Sequence, residues 1–137
     1  MIFRRMDQES WTWFNEQVPV LRVEDSCGMV AVDNDKYVAG IVMDNFTDTS
    51  CQGHFVTTPM ALRAGFFDLC ADFVFEERGL KLFYASVPSQ YEKALKFLPK
   101  VGFTEVARLK GAFKDGVDCV IMELKKENVR YIVKEAA

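Results

Sequence analysis

One stretch constrains the fold more than any other: Val56-Thr57-Thr58-Pro59, set between an apolar β-rich run and a long helical pattern. Thr58 offers the hydroxyl of a helix N-cap, and Pro59 suits the first helical position, where a missing N–H costs nothing. Leu62, Phe66, Leu69, Cys70, Phe73 and Val74 recur behind it at helical spacing, and Arg78-Gly79 supplies a cation and a glycine to end it. The pattern predicts a central helix of about twenty residues. Cys51 to Thr57 ahead of it and Leu80 to Val87 behind it read as strands, the second buried on both faces. A strand, a helix and a strand form a right-handed crossover, so these two strands are expected to be parallel neighbours.

The rest of the chain extends that centre. Phe3 to Met6 reads as a short strand, and Asp7 as the N-cap of a helix that carries Trp11, Phe14 and Val18 and stops at Pro19. Trp13 lies off that stripe. Cys27 to Val32, Tyr37 to Phe46 and Cys51 to Thr57 follow one another through short turns, which predicts an antiparallel meander with Gly40 as a bulge site. Ser89-Gln-Tyr-Glu92 reads as a capping box for a helix that presents Tyr91, Ala94, Leu95 and Leu98 and ends near Pro99. Phe103 to Lys110 and Val117 to Lys125 read as a final hairpin through Lys114-Asp115-Gly116, and Glu127 to Ala137 as a short helix or frayed tail. The order β-α-β-β-β-α-β-α-β-β implies one domain over residues 1–137. Its class is α/β (α+β): a mixed sheet of about six to seven strands, antiparallel and then parallel at its centre, with helices on both faces.

Composition excludes more than it names. Lys plus Arg is 17 against 20 Asp plus Glu, a net charge of −3, so a broad basic face for nucleic acid is not expected. The longest stretch without a charged residue, Thr49 to Leu62, is polar, so no membrane span is expected, and the start Met1-Ile-Phe-Arg-Arg5 lacks the apolar run of a secretory signal. Cys27, Cys51, Cys70 and Cys119 include no C-x-x-C pair, so no metal or redox motif is read; they predict reduced, buried thiols and a cytoplasmic protein. His54 is the single histidine. It reads either as a buried core residue or as a general base, since histidine is the residue type that titrates near neutrality.

The segment Ala94-Leu-Lys-Phe-Leu98-Pro-Lys100-Val-Gly102-Phe103 is similar to a signature of the GNAT superfamily of N-acetyltransferases, A-x-x-L-Y-x-K-x-G-F. Ala94, Phe97, Lys100, Gly102 and Phe103 agree with it, and the element order at this length also resembles that fold. Phe55-Val-Thr-Thr58 with its aromatic helix resembles short acetyltransferase-like proteins of tailed phages, some of them virion components. The resemblance implies a protein that takes acetyl-CoA as co-substrate and acetylates an amine of a small molecule or protein. It implies a possible homodimer through late strands. The alternative of a different class is a GNAT-fold structural or interaction protein without catalysis.

Carried onto this chain, the resemblance places acetyl-CoA in a gap between the edge His54 to Thr57 and the strand Leu82 to Ser86. Phe55, Val56, Thr57, Thr58, Arg63 and Gly65 are the residues expected to bind it. Two departures stand out. The glycine-rich phosphate loop of the family is absent from Thr57-Thr-Pro-Met-Ala-Leu-Arg63, where Pro59 also removes a donor, so Thr58 and Arg63 read equally as a cap and a solvated charge. The family's frequent tyrosine acid falls at Leu98, leaving Tyr84 and Tyr91 as substitutes or as core tyrosines. His54 is the candidate base, and Asp44 and Asp48 either hold the amine or form a turn. Trp11, Trp13 and Phe14 would lie near the acceptor side.

Overall fold

A computed structural model describes residues 1–133 of the chain. Seven strands form one sheet: β1 (Ile2–Arg5), β2 (Cys27–Asp33), β3 (Lys36–Asp44), β4 (Ser50–Val56), β5 (Leu82–Pro88), β6 (Thr104–Lys114) and β7 (Val117–Lys125), in the order β1-β2-β3-β4-β5-β7-β6. Every neighbouring pair is antiparallel except β4 and β5, which are parallel. The meander and the parallel centre expected from the sequence are both present. Gly40 is a correction: it pairs regularly with Val30 and Val56, and the extra residue is Val38 on the same strand, where Ala39 and Tyr37 face the consecutive Ala31 and Val32. A Cβ on Gly40 would sit 2.7 Å from the ring of Phe14, so this glycine lets the first helix lie directly on the sheet.

Helix α1 (Gln8–Gln17) begins at a reciprocal cap, in which the Asp7 carboxylate accepts from the Ser10 amide at 2.9 Å and the Ser10 hydroxyl accepts from the Asp7 amide at 2.8 Å. It buries Trp11 and Phe14, with Val20 and Val42, as a small cluster on one face of the sheet. The other face carries the main core.

There the predicted long helix is broken. It consists of α2 (Pro59–Arg63), α3 (Phe66–Asp72) and a π-helical turn (Phe73–Glu77), because Gly65 takes a left-handed φ of +94° between the first two. The break rotates the buried stripe to Phe66, Phe67, Cys70, Ala71, Val74 and Phe75, and Leu69, expected inside, is 39% exposed. Helix α4 (Glu92–Lys100) packs beside α3 through Phe67 and Phe97, whose ring centroids are 5.8 Å apart.

The capping box expected at Ser89 does not form. Tyr91 is the N-cap, without a side-chain bond, while Ser89 is held by Asp118: its hydroxyl accepts from the Asp118 amide and its amide donates to the Asp118 carbonyl, both at 2.9 Å. Cross-strand pairing has claimed the side chain that the local pattern assigned to the helix.

Strand β6 is longer than predicted, and all of it is exposed. After β7, Lys126–Asn128 forms one 3₁₀ turn, and the Ile132 and Val133 amides donate to the buried Asp68 carboxylate at 2.8 and 2.7 Å. The expected tail continues to Ala137, of which residues 134–137 lie outside the described residues. Gly102 has φ +110°, and a Cβ there would lie 2.1 Å from the Asn128 carbonyl oxygen. The glycine therefore serves both the turn out of α4 and the close passage of the tail.

Candidate active site

Strands β4 and β5 are paired only at Ser50 with Leu82, Cys51 with Phe83 and Gln52 with Tyr84. Beyond that point they part. β4 stays with β3 up to Val56, and β5 stays with β7 up to Pro88, so the β5-facing edge of Gly53 to Val56 has no strand beside it. A cleft passes through the gap. Val18, His54 and Ser86 line it from the α1 side, and Phe55, Val87, Tyr91 and Ala94 from the α4 side. Its free volume is about 40 Å³, little more than one water's share of the liquid.

Side chains account for that small volume. Gly53 has no Cβ, and one would stand 2.6 Å from the Phe83 ring, so Phe83 leans over β4 where the strands separate. Phe55 then closes a three-ring cluster with Phe83 and Phe103, at centroid distances of 5.7, 5.9 and 5.8 Å.

On the other face the chemistry is polar. His54 Nε2 lies 3.0 Å from Asp44 Oδ2, with Asp44 at the end of β3 and only 6% exposed. Asp44 Oδ1 is buried and, among the described residues, has no hydrogen-bond partner. A buried carboxylate oxygen left unpaired is costly. With the carboxylate accepting the Nε2 proton, the lone pair of a neutral imidazole resides on Nδ1. Among the described residues nothing hydrogen-bonds Nδ1.

Tyr84 follows Gln52 and His54 on this face, at the last paired position before the split. Burial, and next the Asp44 carboxylate, push its phenol up from the ordinary value, against a hydrogen bond with Asn45 that pulls it down. The phenol therefore keeps its proton at neutral pH.

The structure brings His54, Phe55 and Tyr91 to the cleft and places Tyr84 below it. Val56 points to the α1 cluster. Thr58 is the N-cap of α2: its hydroxyl accepts from the Ala61 amide at 3.3 Å and its carbonyl from the Leu62 amide at 3.1 Å. Those bonds use two first-turn donors, and Pro59 lacks a third. Thr57 precedes this cap, while Arg63 ends α2 and Gly65 faces Val133, away from the cleft lining. Leu98 is fully buried and Asp48 lies exposed in the turn after β3. Sequence reasoning missed Asn45 and Gln52, whose side chains bond at 2.8 Å beside Asp44. The available signal was Asn45 in a turn, where its φ of +50° suits asparagine.

No family model and no curated protein matches the sequence. Solved structures match over nearly its whole length. A mutant of the spermidine N-acetyltransferase SpeG from Vibrio cholerae superposes with a TM-score of 0.72 at 15% identity, over 93% of this chain and 96% of that one. Spermidine/spermine N-acetyltransferase SpeG from the same organism, in complex with manganese ions, gives 0.72 at 13% identity over 92% of each chain. The chain has the GNAT fold. A dodecameric spermidine N-acetyltransferase from that organism also gives 0.72, at 13% identity over 92% of this chain and 95% of that one. At such identities the likeness is one of fold, and the parted β4 and β5 are the part of the GNAT fold in which the cleft lies.

Proposed function

We propose that the protein is an acetyl-CoA-dependent N-acetyltransferase acting on an amine of a small molecule or protein, with His54 as base and Asp44 as the residue that positions it. The observation that carries this reading is the His54–Asp44 pair, set where β4 and β5 part, with its second carboxylate oxygen unpaired among the described residues. An amine arrives protonated and must lose its proton before it can attack. The Asp44 carboxylate would orient the imidazole, and His54 Nδ1 would take the proton. The resulting imidazolium is stabilised by the same carboxylate, as in any base held by an acid. Tyr91 at the cleft, or Tyr84 below it, would return a proton to the departing sulfur.

Acetyl-CoA supplies the activated acetyl group. The free β4 edge from Gly53 to Val56 suits an extended arm, with Thr57, Thr58 and Arg63 left for the phosphates. The side chains fit less well than the backbone: a cleft of about 40 Å³ admits such an arm only after Phe55 or Tyr91 swings aside. Self-association belongs to the same proposal, supported by the dodecameric neighbour, and light scattering on the eluted protein checks it.

The second reading, a GNAT-fold structural or interaction protein without catalysis, is favoured by the Phe55–Phe83–Phe103 cluster that fills the gap. Thermal-shift titration with acetyl-CoA, against desulfo-CoA and ADP, separates the two. Ligand at a hundred times its Kd should add about 2.7 kcal/mol of stability. With a turned-over amine in hand, His54→Ala should lower kcat by roughly 10²–10⁴-fold while the melting temperature holds. Asp44→Asn should act in the same direction, because an amide can hold the wrong tautomer of the imidazole. No shift at millimolar acetyl-CoA would instead support the second reading.

A further inference from the structure

A larger cavity, about 340 Å³, lies where β1 ends and β2 begins. It shares no lining residue with the cleft. Its volume is in the range of small-molecule sites, roughly 300–1,000 Å³. Met29, Met43 and Phe73 make an apolar floor, two of them thioethers that adapt to a ligand's shape. Leu69 stands at the rim, which gives this exposed leucine on α3 an apolar neighbour.

The charges are unbalanced. Arg5 and Arg22 both line the cavity, and among the described residues neither guanidinium has a carboxylate within 4.0 Å. Arg22 is instead held 4.9 Å above the Trp11 ring, which presents its plane at the wall. Among the described residues Glu77 is the only carboxylate in the lining, and burial pushes the Cys27 thiol up, so it is uncharged at neutral pH. Two cations against one anion favour an anionic ligand, and the apolar floor disfavours a bare ion.

We infer that this cavity binds a small carboxylate carried on an apolar body, its charge met by Arg5 and Arg22 and its hydrocarbon laid on Met29, Met43 and Phe73. The inference stands whether or not the cleft is catalytic, since it uses none of the cleft's residues.

Trp11 is a built-in reporter. In a Trp13→Phe background, octanoate should change Trp11 fluorescence saturably, while octanol and octylamine of the same chain length bind more weakly. Arg5→Gln with Arg22→Gln should weaken octanoate roughly tenfold or more, the loss expected for charged hydrogen bonds. Both arginines are exposed, so the double variant should keep the parent's melting temperature. No saturable response to millimolar octanoate would overturn the inference. So would equal affinity for octanol and octanoate, or unchanged octanoate affinity in the folded double variant.

Discussion

His54 and Phe55 are adjacent on β4 and face opposite sides of the sheet, and those two sides are built differently. Phe55 joins Phe83 and Phe103 in a cluster continuous with Phe67 and Phe97, covered by α3 and α4. His54 meets a carboxylate, and beyond the small α1 cluster Tyr84 and Ser86 remain partly exposed. Stability is concentrated on the aromatic side and polar chemistry on the other. The contrast explains how one gap can hold a base and its orienting acid on one face while nearly closed from the other. Strand alternation makes this possible, because successive side chains point to opposite faces.

The largest test of that contrast is Phe83→Ala. Removing a fully buried ring that spans the split should cost about 3–5 kcal/mol in denaturant unfolding. A cost under about 1 kcal/mol would mean that the aromatic side does not hold the strands together. Phe55→Ala comes next. Phe55 is only partly buried, so about 2 kcal/mol is expected. The same change should widen the cleft and enlarge the acetyl-CoA thermal shift; an unchanged shift would show that Phe55 is not what limits entry. Thr58→Ala, which removes the α2 cap at the far end of the gap, should cost about 1 kcal/mol.

The smallest effect belongs to the exposed cap of α1. Bonds from the Ser10 amide and hydroxyl hold the Asp7 carboxyl below its ordinary value of 3.8. A lowered folded pKa stabilises above the unfolded value, and the contribution disappears as pH falls through the folded one. Asp7→Asn should therefore be slightly less stable than the parent at neutral pH, and the two should converge as the pH falls below 3.8. A difference at neutral pH as large as that for Thr58→Ala would show that α1 contributes more to the His54 side than its small cluster suggests.

Much of this architecture was legible in local patterns. The Thr58-Pro59 start, the Asp115-Gly116 turn with Gly116 at φ +77° and the strand–helix–strand centre all depend on residues near one another in the chain. The errors fall where a distant segment intervened. Ser89 was lost to Asp118, 29 positions away, and Gly40 answers to the ring of Phe14. The single predicted helix failed at Gly65, whose φ of +94° breaks it.

The candidate site shows the same division. The sequence by itself determined the order of elements, the parallel centre, the one histidine and the loss of a glycine-rich loop, because caps, turns and hydrophobic period act over a few residues. Only the tertiary structure decided that His54 meets Asp44, that Gly53 admits the Phe83 ring, and that β4 and β5 separate after Gln52. Those outcomes depend on strand register. A shift of one residue would turn His54 to the aromatic face and Phe55 to the polar one, and no local pattern fixes register across a crossover.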